Sequence, residues 1–189
     1  MYKIMVCREK VRVLPKKFGM DINDAIKESL QEQVEGKLYP EIGIVLAVTD
    51  LKNITGGDIM PEDGAIYYEA EFECLGFTPE LNEIVYGEVV DVTAYGAFVR
   101  IGPVDAMAHV SQIMDDKVSY DEKGSAIVGK KTGIRIKRGD VVRGRVASVS
   151  LGRGGRSKIA VTMRSPALGL VSEIEKNKKT ARKKGGTKK

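Results

Sequence analysis

The sequence predicts two folded parts in tandem: an α+β domain over 1–80, in which one helix covers a curved antiparallel sheet, then an all-β barrel over 81–167. A short helix and a basic disordered tail follow over 168–189. Three observations predict this order. In the front half helical periodicity occurs once, at Ile22, Ala25, Ile26, Leu30 and Val34. Strand patterns punctuated by glycine dominate the chain behind residue 81. The charge also changes sign: residues 1–80 carry 9 Lys and Arg against 15 Asp and Glu, 81–175 carry 14 against 11, and 176–189 carry 8 against none.

Taken in order, Tyr2, Ile4 and Val6 alternate with Lys3, Met5 and Cys7 and lead to Val11 and Val13, which predicts an opening strand bent around 8–10. Asp21 offers an N-cap oxygen, Asp24 sits in the first turn, and Gly36 supplies a left-handed stop, so the helix is expected over about 22–35. Residues 44–51 read as a buried strand, and Ala70, Phe72 and Cys74 alternate with Glu69, Glu71 and Glu73 in another. Between them NITGGDIMPEDGA, residues 53–65, is rich in turn formers and is expected to protrude as a loop. Gly56, Gly57, Asp63 and Gly64 suit backbone angles that favour close approach of a partner. A docking tip and an ordinary hairpin excursion both satisfy that composition.

The densest signal is EIVYGEVVDVTAYGAFVRIGPVDAMAHVSQI, residues 83–113. Val89, Val90 and Val92 open one strand, 95–99 turn into a second, and 106–110 form a third behind the Gly102-Pro103 break. Residues 114–137 then insert MDDKVSYDEKGSAIVGKKTGIRIK where a short connection would suffice, and carry Lys117, Lys123, Lys130, Lys131, Arg135 and Lys137 as an extension of a basic path. Gly124 to Lys130 nearly spells the phosphate loop G-x-x-x-x-G-K-[ST], but Lys131 takes the place of the magnesium-binding hydroxyl, which excludes nucleotide hydrolysis. Strands at 141–149 and 158–163, joined by a glycine-rich turn holding Arg153 and Arg156, complete the barrel. Alternation places Arg143 and Arg145 opposite Val142 and Val146, on the solvated outside.

Composition bounds the function. At 42% hydrophobic the 189 residues support packed cores, and the longest apolar run, Ile44 to Val48, is too short to span a membrane. Arg8, Lys10 and Arg12 interrupt any apolar leader. Cys7 and Cys74 are too far apart for a Cys-x-x-Cys metal knuckle and fit a reduced, cytoplasmic setting as small core groups. The single histidine rules out a two-histidine site, and no clustered aspartates hold catalytic magnesium, so neither a catalytic centre nor a cofactor is expected.

The stretch over 83–113 resembles the S1-like branch of the OB-fold, an RNA-binding module. The opening MYKIMVCREKVRVLPKKFG, the run PEDGAIYYEAEFECLGFTPELNEIVYGEVVDV, the barrel motif YGAFVRIGPVDAMAHVSQIMDD with its VSYDEK insertion, and the closing SKIAVTMRSPALG together resemble the E-prime subunit of archaeal RNA polymerase, counterpart of the seventh subunit of eukaryotic RNA polymerase II. The MDDKVSYD run directly behind HVSQI is the most specific part. The resemblance implies a truncated RNP-like front domain that docks on the polymerase core beside a small helical stalk partner, the F subunit. It implies an S1-like barrel that binds emerging single-stranded RNA, in a non-catalytic stalk supporting initiation and elongation.

Carried over residue by residue, Tyr95 and Phe98 resemble the family's base-stacking aromatics, His109 stands where the family keeps a histidine on nucleic acid, and Lys158 is its basic residue on the fifth strand. The family's Asp after the fourth strand is Ser150 here, which removes an acceptor. Arg156 is a weaker RNA candidate from its own turn. Core packing for Phe98 and a structural role for His109 remain open on sequence alone. So does a free-standing S1-like RNA-binding protein acting in translation or RNA processing, although that protein would not need an acidic front domain.

Overall fold

The structure, a computed structural model, describes residues 1–60, 63–152 and 157–177. Contacts cluster into two compact units, one built on Met1–Thr78 and the other on Pro79–Ser150 with residues 157–177.

The first unit contains β1 (Tyr2–Val13), a 3-10 turn at Pro15–Lys17, α1 (Ile22–Val34), β2 (Leu38–Tyr39), β3 (Gly43–Ile59) and β4 (Ile66–Phe77). The antiparallel order is β1-β4-β3-β2. Helix α1 starts where expected because Asp21 accepts the Asn23 N–H at 2.9 Å, satisfying one of the orphan donors of the first turn. It ends at Val34: Glu35 is already extended, and Gly36 follows with a φ of +73° that an L side chain rarely adopts. Its apolar stripe, Ala25, Ile26, Leu30 and Val34, is buried against Val11, Val13, Val45, Val48, Ala70, Phe72 and Cys74. Each fully buried Val, Leu, Ile or Phe of that set contributes about 1.5–3 kcal/mol through removal from water.

The opening strand forms as expected, and its ladder runs unbroken through Arg8–Lys10, paired with Glu69–Glu71 of β4. One expectation for this unit needs correction. The predicted loop over 53–65 is mostly strand: Asn53 pairs with Glu71, Ile54 with Ala70, Gly56 with Tyr68 and Ile59 with Ile66. Backbone hydrogen bonds to β4 hold this arm in spite of its turn-forming composition, and four register shifts along β3 absorb the irregular residues as bulges. Gly56 and Gly57, with φ of +87° and +124°, sit in the last of these, between Gly56 and Asp58.

The second unit holds β5 (Ile84–Thr93), β6 (Gly96–Ile101), β7 (Val104–His109), a 3-10 turn at Val110–Gln112, β8 (Val118–Asp121), β9 (Ala126–Gly129), β10 (Arg135–Lys137), β11 (Val141–Leu151), β12 (Ser157–Thr162), β13 (Gly169–Leu170) and a helix α2 over 171–177. The large sheet runs β12-β7-β6-β5-β11-β13, and a further β12–β11 pairing closes β5, β6, β7, β11 and β12 into a barrel. Alternation along each strand sends Val85, Val89, Ala97, Val99, Ala106, Ala108, Val146 and Val161 into the interior, all buried.

The insertion folds as a separate three-stranded sheet, β10-β9-β8, on which Lys117, Lys123, Lys130, Lys131, Arg135 and Lys137 are exposed. Ile127 and Ile136 are buried, strands β9 and β10 pack beside β5, and the Tyr120 hydroxyl donates to the Val92 carbonyl at 3.4 Å. The near phosphate loop already holds an anion of the protein's own. The Asp116 carboxylate accepts the Lys131 and Thr132 N–H groups at 2.8 and 2.9 Å and the Thr132 hydroxyl at 3.1 Å, and these donors, the Thr132 N–H foremost, hold it below the usual carboxylate range.

Arg143 and Arg145 are also more than solvated charges. Arg143 donates from Nε to the Ala167 carbonyl at 2.7 Å and from Nη1 to the Tyr86 hydroxyl at 3.2 Å, while Arg145 reaches Ser165 Oγ at 3.4 Å. Both side chains pin the chain at 165–167 after it leaves β12, a role that alternation alone cannot reveal because the partners are distant in sequence.

Candidate nucleic-acid interface

The outward-facing positions of β5, β6, β7 and β12 form one surface. A cross-strand row runs Asp91, Phe98, Met107, Ala160, each opposite the next. Ala97 and Val99 point inward and are buried, so Phe98 between them points out, where it is half-buried. A parallel row two residues along pairs Arg100 with Asp105 through a 3.0 Å ion pair. Lys158, exposed and two residues before Ala160 on the parallel strand β12, lies on that same side of the row and has no ion-pair partner among the described residues.

At the other end stands Tyr95, its ring carried on the turn Ala94-Tyr95 between β5 and β6 and 74% exposed. Nothing in the core claims that ring. The turn is locked by the Thr93 hydroxyl donating to the Gly96 carbonyl at 3.1 Å and by the Val110 N–H donating to the Tyr95 carbonyl at 2.8 Å. Gly96 is required there, since a Cβ would fall 2.2 Å from the Ala108 carbonyl oxygen.

His109 faces Gly96 across the ladder and is exposed. Its Nδ1 accepts the Ser111 N–H at 3.3 Å and lies 2.9 Å from the Ser111 hydroxyl. A backbone donor at Nδ1 places the ring proton on Nε2 and leaves that edge a hydrogen-bond donor.

Phe98, His109 and Lys158 therefore share one outer face of the sheet, and Tyr95 is exposed on the turn that adjoins it. Arg156 lies outside the described residues. Met107 and Arg100 complete the surface and were not singled out from sequence, although the signal was present: a two-residue turn at Gly102-Pro103 forces Phe98 opposite Met107. The arrangement can stack planar groups and attract phosphate. Among the described residues no cluster of three or more His, Cys, Asp and Glu is placed to hold a metal, and no helix is long and apolar enough to cross a membrane.

The docking candidates of the first unit are placed differently from one another. Gly56 and Gly57 lie on the exposed β3 arm, and Gly64, with φ of +63°, lies in the short connection to β4. Asp63 is committed internally: it accepts Arg12 Nε at 2.6 Å, Arg12 Nη2, and the Tyr67 hydroxyl at 2.6 Å. Arg12 first, then Tyr67, holds the Asp63 carboxyl down at about 2.

Two family models match this chain: the SHS2 domain found in the N terminus of Rpb7p/Rpc25p/MJ0397, over residues 8–64, and the S1 RNA binding domain, over residues 78–152. The DNA-directed RNA polymerase subunit Rpo7 of Saccharolobus solfataricus is 41% identical over 180 residues, which cover 95% of this chain and 100% of the relative. Rpo7 of Sulfolobus acidocaldarius is 37% identical, with 92% and 95% covered, and the RNA polymerase II subunit RPB7 of Saccharomyces cerevisiae is 27% identical, with 72% and 82% covered. Likeness that runs through both units favours an accessory polymerase subunit over a free-standing RNA-binding factor. A front sheet with one covering helix, an S1 barrel behind it and full-length identity of this order mean that the chain belongs to the Rpo7 family of DNA-directed RNA polymerase subunits.

Proposed function

We propose that the barrel, within 81–167, holds single-stranded RNA as it leaves the polymerase, while the front domain, within 1–80, docks on the polymerase core beside a small helical stalk partner, the F subunit. The observation that carries the RNA reading is the Tyr95 ring, solvent-facing at the head of a rigid turn with His109 across the ladder. Tyr95 and Phe98 stack bases, His109 donates from Nε2, and Lys158 with Arg156 attracts phosphate. The acidic balance of 1–80 suits protein contact, since carboxylates repel a phosphate backbone. Gly56 and Gly57 on the exposed arm and Gly64 in the connection behind it present main chain, with Asp63 bracing that end through Arg12 and Tyr67. The protein acts in the cytoplasm, contributes no catalytic group, and supports initiation and elongation by retaining the transcript. Affinity purification from cell extract tests the assembly: recovery of the large polymerase subunits with a small helical protein is expected, and recovery of ribosomes or an exosome-like ring instead overturns it. Binding of the purified chain to an oligouridylate at low salt tests the RNA role, and no measurable attraction overturns that.

A further inference from the structure

The sequence assigns Cys7 and Cys74 to core packing, yet the fold brings them together. Cys7 lies on β1 opposite Phe72, Cys74 lies on β4 opposite Met5, and their Sγ atoms approach to 3.8 Å along the diagonal between the two strands. Both are free thiols. Cys74 is 0% exposed, whereas Cys7 is half-buried and lines a cavity of about 250 Å³ with Val34, Tyr39, Val45, Phe72 and Glu9. One thiol is thus reachable by a small molecule and the other is reachable only through the first.

We propose that Cys7 and Cys74 form a modification site at which a small-molecule disulfide is reduced and the two thiols become an intramolecular disulfide that staples β1 to β4. The step balances as two exchanges. The Cys7 thiolate attacks one sulfur of the reagent, a Cys7 mixed disulfide forms, and the reagent's other half leaves as a thiolate. Cys74 then loses its proton to solvent and attacks Cys7 Sγ, and the second half leaves as a thiolate. The chain loses two electrons and two protons, and the reagent takes up both electrons.

A disulfide needs its sulfurs about 2.05 Å apart, so they must close by roughly 1.8 Å. β1 is an edge strand, paired among the described residues with β4 alone, so the closure disturbs one ladder. Burial first, then the hydrogen bond with Cys7, pushes the Cys74 thiol up to about 12, which makes the second exchange the slow one. The Cys7 mixed disulfide is therefore the transient species.

The test uses the full chain and cystamine, with intact mass read over time. The expected course is transient addition of one cysteamine, followed by a species about 2 Da lighter than the starting protein whose thiols resist alkylation until a reductant is added. The oxidised form melts roughly 10 °C or more above the reduced one, because the bridge closes a long loop. Cys74→Ser is expected to halt at the mixed disulfide, and Cys7→Ser to remain unmodified while folded. A wild-type chain that keeps both thiols alkylatable, or that accumulates the cysteamine adduct without resolving it, overturns the proposal. The wild-type measurement alone decides this, whatever the variants do.

Discussion

The Tyr95 carbonyl accepts the Val110 N–H at 2.8 Å, so the turn that carries the exposed ring is fastened to the residue directly after His109. The backbone of both side chains is set by the same bond, while the Tyr95 ring stands largely in solvent. Binding and folding are accordingly separable at this position.

Tyr95→Ala is expected to weaken binding of single-stranded RNA by roughly 5- to 150-fold, the equivalent of about 1–3 kcal/mol for one stacked base. It leaves unfolding free energy within about 0.5 kcal/mol, as for other exposed substitutions. Fluorescence anisotropy with a labelled oligoribonucleotide and a thermal melt check the two halves. Unchanged affinity removes Tyr95 from the interface.

Gly96→Ala is the converse case, in which structure fails first. A methyl group 2.2 Å from the Ala108 oxygen cannot be accommodated without separating β6 from β7. Destabilisation of about 2 kcal/mol or more is expected, visible as a lowered midpoint in urea. Hydrogen exchange should show the damage at the Val110 amide, which reports the clasp on Tyr95.

Lys158→Ala is expected to lower the slope of log affinity against log salt by about 0.7, the value for one phosphate contact on a single strand. The Lys158 side chain is exposed and unpaired among the described residues, so the melting midpoint should hold. Removing the chain beyond Glu175 in a separate protein measures the share contributed by the basic tail, which carries 8 Lys and Arg. An unchanged slope for Lys158→Ala places phosphate contact elsewhere.

The Asp63 pair sets a pH dependence for the first unit. The carboxyl titrates at about 2 in the folded chain, against about 3.9 in an unfolded one. The stability it lends is therefore complete above about pH 4 and is lost as pH falls toward 2, where the carboxylate that Arg12 and Tyr67 hold becomes protonated. Asp63→Asn should lower the melting temperature at neutral pH and flatten its decline between pH 4 and pH 2. A variant that follows the wild-type acid limb in parallel shows that Asp63 contributes nothing to it.

Local patterning carried a large part of this protein. The stripe Ala25, Ile26, Leu30, Val34 and the Asp21 cap are properties of neighbouring residues, and helix α1 forms where they predict. Whether Phe98 faces the core or solvent was open in the sequence, and the structure decided it by burying Ala97 and Val99 on either side, while the two-residue turn at Gly102-Pro103 implied the pairing of Phe98 with Met107. Nothing in the spacing of residues 53–59 announced a strand. That arm is held by backbone groups of β4, and a neighbouring strand satisfies main-chain donors and acceptors whatever side chains they carry. Arg143 and Arg145 became clasps, Asp116 filled its own anion cradle, and Cys7 met Cys74 for a related reason: their partners stand 15 to 67 positions away along the chain. Periodicity reports which face of an element is apolar. Which distant polar group meets that element is decided when the sheets close, because only then do directional hydrogen bonds and ion pairs find their geometry.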